Sequence, residues 1–97
     1  MRSIAFHPEA EAEFIAAAQY FESQAENLGL EFIATVEATY QRLLNLPESG
    51  RPFGSRLRRT LVPGFPYGLI YRPGPDTVLV VAVAHVRRRP GYWRSRA

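Results

Sequence analysis

Nine consecutive residues, Thr77-Val78-Leu79-Val80-Val81-Ala82-Val83-Ala84-His85, carry no acidic or arginine side chain and are almost wholly apolar and β-branched. A run of this kind predicts a strand buried on both faces, because a half-exposed strand alternates apolar with polar residues. The chain must therefore build a sheet around this segment. The turn Pro73-Gly74-Pro75-Asp76 joins it to Phe65–Arg72, where Phe65, Tyr67, Leu69 and Tyr71 fall on one face. Pro66 lacks a ladder donor and belongs at the start of that strand. Leu57–Val62 reads as a further strand carrying Arg58 and Arg59, followed by the turn-prone Pro63-Gly64.

The period is different in the first half. Ala10, Phe14, Ala17, Ala18, Phe21 and Ala25 recur at steps of three and four, predicting an amphipathic helix over 8–27. Pro8 suits its first position, and Glu9, Glu11 and Glu13 suit its dipole. Asn27-Leu28-Gly29 supplies a stop, with Gly29 taking the left-handed conformation. Phe32, Ile33, Val36, Tyr40, Leu43 and Leu44 mark a second helix that Pro47 ends. So short a turn predicts an antiparallel hairpin. Arg2–Phe6 reads as an opening strand, pairing beside the central last one. Residues 47–55 read as a loop. The expected fold is a single α+β domain over 1–97: strand, helical hairpin, then a three-stranded antiparallel meander, with the hairpin on one face of the sheet.

Composition narrows function. There is no cysteine, so disulfides and thiolate metal sites are excluded, and two distant histidines make no metal site. No apolar run approaches the ~20 residues of a membrane span, and no signal peptide is evident; a cytoplasmic protein without membrane association is expected. All twelve basic side chains are arginine. Residues 1–50 hold eight Glu against Arg2 and Arg42, a formal balance of −6, whereas residues 51–97 hold ten Arg against Asp76, a balance of +9. The positive half ends in His85-Val86-Arg87-Arg88-Arg89-Pro90-Gly91-Tyr92-Trp93-Arg94, where cations alternate with aromatics read as exposed. Such a surface suits an acidic partner, through bidentate contacts and stacking that lysine does not supply. His85, at the edge of an apolar strand, reads either as a backbone-bonded histidine or as a site residue. His7, just before a helix, reads as a capping or surface residue.

Three segments, in register, resemble the RelE/ParE toxin superfamily. They are Phe6-His7-Pro8-Glu9-Ala10 with Ala18-Gln19-Tyr20-Phe21-Glu22, Leu28-Gly29-Leu30 and Phe32; Phe65-Pro66-Tyr67-Gly68-Leu69-Ile70-Tyr71; and Val83-Ala84-His85 through Tyr92-Trp93. The wording of the last two is closer to the ParE-like branch. The resemblance implies the toxin of a bacterial type II toxin–antitoxin module, the kind associated with plasmid stabilisation, held in a hetero-oligomer by a cognate acidic antitoxin that folds on binding. For the ParE-like branch it implies inhibition of DNA gyrase by direct binding, without a catalytic site or cofactor. The binding residues are then expected among Arg58, Arg59, Arg72, His85, Arg87, Arg88, Arg89, Tyr92 and Trp93. The alternative is a RelE-like endoribonuclease acting on mRNA at the ribosome. Such an enzyme needs a proton acceptor for the ribose 2′-hydroxyl and a donor for the leaving oxygen. RelE-like enzymes lean on lysines for this work; here His85, Arg88, Tyr92, Arg72 and Arg58 would have to serve. A further alternative is a degenerate partner that only binds antitoxin.

Overall fold

In the computed structural model of the chain, residues 2–96 are described. Strand β1 (Ser3–Phe6) leads into helices α1 (Pro8–Gln24) and α2 (Leu28–Asn45), and strands β2 (Arg51–Pro52), β3 (Arg58–Leu61), β4 (Tyr67–Pro73) and β5 (Thr77–His85) follow. A 3-10 turn, Arg94–Arg96, comes last. The sheet order is β1-β5-β4-β3-β2, so the apolar run is an interior strand with neighbours on both sides. β1 pairs with it in parallel, from Ser3 opposite Thr77 to Phe6 opposite Val80; the remaining pairs are antiparallel. The fold is α+β, in the order the sequence predicts, with β2 as an addition. Arg51 and Pro52 form this short edge strand by pairing with Arg59 and Arg58. Nothing in a loop-like sequence announces a strand made only by its neighbour.

The helical hairpin begins on His7, whose Nδ1 accepts the Glu9 N–H at 3.1 Å as an N-cap. Its turn corrects one expectation. α1 stops at Gln24 and Asn27 takes the left-handed conformation, with φ 69°, whereas Gly29 lies inside α2. Gly29 is there for close approach: a Cβ on it would sit 2.5 Å from the Ala18 carbonyl oxygen. The hairpin lies on one face of the sheet. Phe32, fully buried, meets Phe14, Phe21, Phe65 and Tyr67 with ring centroids between 5.1 and 5.9 Å. Edge-on and tilted arrangements dominate this cluster, as aromatic quadrupoles prefer.

The second face of the sheet carries its own core of Leu57, Ile70, Val81, Ala82, Ala84 and Trp93, with Phe53, Leu79 and Tyr92 at its margin. A bulge enlarges it. Ile70 faces Ala82 while Tyr71 faces Val80, so Val81 is an extra residue and joins Ala82 on this face. The cover here is the irregular segment 86–96, which turns back from the end of β5 as a strap. That return is how β5 comes to be buried on both faces.

Candidate functional site

The strap meets the sheet through aromatic rings and arginines. Trp93 is 6% exposed, stacked on Phe53 at 5.3 Å and edge-on to Tyr92 at 5.2 Å. The Arg59 guanidinium carbon lies 4.6 Å from the Phe53 ring centre, so Arg59, Phe53 and Trp93 make one stacked column. Arg88 lies 4.1 Å from the Tyr92 ring centre. Beside this column runs a cleft of about 470 Å³, floored by Phe53, Leu57 and Trp93 and rimmed by Arg94. A narrow pocket of about 60 Å³ is lined by Arg59, Arg88 and the segment Ala84-His85-Val86. None of the segments that build this surface contains an acid.

Two loops depend on local chemistry to hold this shape. Gly54 and Gly91, with φ of 85° and 88°, turn the two chain segments that line the cleft. The fully buried Tyr71 hydroxyl, from the hairpin-side core, donates to the Pro47 carbonyl at 2.8 Å and accepts the Gly50 N–H at 2.9 Å, fixing the approach to β2.

The expected site residues separate into groups. Arg59 and Arg88 converge on the strap surface, and Arg87 and Arg89 are exposed on the turn beyond β5. Arg58 instead binds the 47–50 loop, donating to the Gly50 carbonyl at 2.7 Å and the Glu48 carbonyl at 3.1 Å. Arg72, exposed, stands opposite Leu79, five residues along β4 from Tyr67 and its partner His85, or roughly 16 Å away at the rise of a strand. The idea that Arg58 and Arg72 share one site with His85 is therefore corrected. His85 itself packs edge-on against Tyr67 at 5.3 Å, on the hairpin side, and its Nδ1 accepts the Arg87 N–H at 3.0 Å. The backbone-bonded reading of His85 describes this contact. Trp93, read from sequence as exposed, is core: the stack on Phe53 covers it.

Tyr92 is placed differently again. Its hydroxyl is enclosed, has no hydrogen-bond partner, and sits near the Glu13 carboxyl group. Burial first, and then that carboxylate, push its pKa up to about 12. Burial likewise raises Tyr67 and Tyr71. Among the described residues, no group of three or more His, Asp or Glu is placed to hold a metal ion, and no helix is long and apolar enough to cross a membrane.

Sequence reasoning missed Phe53, Glu13 and Arg96. Phe53 gave one signal, an aromatic inside a run of turn residues. Glu13 has the look of an ordinary first-turn acid, and Arg96 that of one more surface arginine.

A five-stranded sheet with a helical hairpin packed on one face is the architecture of a RelE/ParE-like toxin domain. The chain belongs to the ParE toxin family: the family of the ParE toxin of the type II toxin–antitoxin system parDE matches residues 4–90. Among solved structures it is similar to one described as the chromosomal ParDE TA system from P. aeruginosa, with a TM-score of 0.77 and 15% identity, over 88% of this chain and 96% of that one. At that identity the likeness speaks for the fold. No curated protein matches the chain.

Proposed function

We propose that this toxin works by binding DNA gyrase through the strap surface in the cytoplasm, and that an acidic antitoxin segment neutralises it. The observation that carries the reading is the separation of the groups a ribonuclease would need. The Tyr92 hydroxyl is enclosed with its pKa pushed up to about 12, while His85 lies on the hairpin side against Tyr67. Arginine does not accept protons at neutral pH. What converges on one face is a binding surface, with cations over flat rings beside an apolar cleft. Charge on that surface favours an acidic partner and makes association salt-dependent.

The test is supercoiling by purified gyrase with the purified toxin added. Inhibition is expected, weakening as salt rises and relieved by the cognate antitoxin. Arg59→Ala combined with Arg88→Ala should weaken inhibition about tenfold or more, since both guanidiniums leave the surface while the aromatic floor stays. Unimpeded supercoiling together with codon-positioned cuts in mRNA on translating ribosomes would replace this reading with the ribonuclease. Neither effect, with antitoxin binding intact, would leave a partner protein alone.

A further inference from the structure

The last arginine of the described chain is largely enclosed. The Arg96 side chain is 8% exposed, and its guanidinium donates in a fork to both Glu13 carboxylate oxygens at 3.0 Å. It also donates to the Val81 carbonyl at 3.1 Å, and its Nε lies 3.3 Å from Glu9. Glu13, from α1, accepts the Val83 N–H at 3.0 Å. These two backbone groups matter because β1 ends at Phe6, opposite Val80, while β5 runs on to His85. Past that point β5 has no strand on its β1 side. A buried strand edge needs partners for its polar groups, and here a carboxylate and a guanidinium supply them. The pair thus reaches around the sheet edge, one member from the hairpin layer and the other from the strap.

We infer that Glu13 and Arg96 form a clasp that completes the β5 ladder and positions the strap, and with it the binding surface. They are positioning residues: neither belongs to the Arg59–Phe53–Trp93 column. The inference rests on the strap being the partner surface, but the clasp is measurable without any partner. Trp93 is the chain's single tryptophan and is the strap's own buried anchor on the sheet. In Arg96→Gln, acrylamide quenching of its fluorescence should rise about twofold or more as the strap opens, with far-UV circular dichroism unchanged. Gyrase inhibition should weaken in parallel. Quenching that stays at the wild-type value would overturn the clasp, and so would a collapse of the helix signal, which would make the pair a determinant of the whole fold.

A charge swap separates this role from that of a bare ion pair. Glu13→Arg combined with Arg96→Glu keeps opposite charges, yet sets a donor against the Val83 N–H and an acceptor against the Val81 carbonyl. Wild-type quenching should not return, and its return would refute ladder completion. Wild-type toxin that leaves gyrase untouched would sink the functional reading while the Trp93 measurement still decides the clasp.

Discussion

On the hairpin side, the sheet is covered by two regular helices whose apolar stripes follow from the period of the local sequence. On the strap side, the cover is a stretch of chain with one short 3-10 turn, held by a ring stack, cation–ring contacts and one buried ion pair. The hairpin core is an interlocked set of phenylalanines and aliphatics around Phe32. The strap core is smaller, with Trp93 its largest side chain and arginines at its border. One face is organised to stay shut. The other carries arginines and aromatic rings at its border, on chain that has fewer local hydrogen bonds to keep it in place. Division of this kind leaves most of the stability with one face and the looser cover with the other.

Substitutions can break or sharpen that contrast. The largest loss is expected for Phe32→Ala, at about 3–5 kcal/mol in urea unfolding, since it empties the centre of the hairpin-side cluster. For a domain whose whole stability is about 5–15 kcal/mol, that approaches unfolding. Trp93→Ala should cost about 3 kcal/mol, with the helix signal kept in the folded state. If it cost as much as Phe32→Ala and melted the helices, the two faces would not be separable. Tyr71→Phe should cost about 1–3 kcal/mol by the same measurement, because the enclosed Gly50 N–H loses its acceptor and the Pro47 carbonyl its donor.

The smallest effect is the most diagnostic for the strap. Tyr92→Phe removes an enclosed hydroxyl that makes no well-formed hydrogen bond and has the Glu13 carboxylate beside it, so stability at neutral pH should change by about 1 kcal/mol or less. Its pH dependence has a definite sign. The folded pKa of about 12 lies above the ordinary 10.0, so the stabilisation is present in full below pH 10 and is lost as pH climbs towards 12. Tyr40, Tyr67 and Tyr71 shift in the same direction, so wild type loses stability across that window and Tyr92→Phe should lose it less steeply. An equal slope in the two proteins would show that Tyr92 is solvated.

Most of the hairpin side was legible in the sequence, because helices and buried strands write their partners into local period. Thr77–His85 reads directly as β5, and α2 ends just before Pro47. The hairpin turn was misread at Gly29 because a glycine near a helix end has two uses, and only the neighbouring helix shows that this one permits contact. The strap side was largely illegible. Residues 86–96 have no period, and an arginine-rich run describes exposed chain by composition alone. Trp93 is buried by Phe53, forty residues earlier, and Arg96 by Glu13 on the first helix. Such pairings exist only once the sheet has formed between them.

The place of β5 in the sequence has a consequence for the order of events during synthesis. The strand that joins β1 to the rest of the sheet is also the last strand made among the described residues, and β1 must wait for a partner some seventy residues downstream. The helical hairpin consists of local contacts and can form early, whereas closing so distant a pairing is slow. Until β5 clears the ribosome, the nascent chain holds a helical hairpin with no sheet to rest on. A domain built this way assembles its sheet only once β5 has been made.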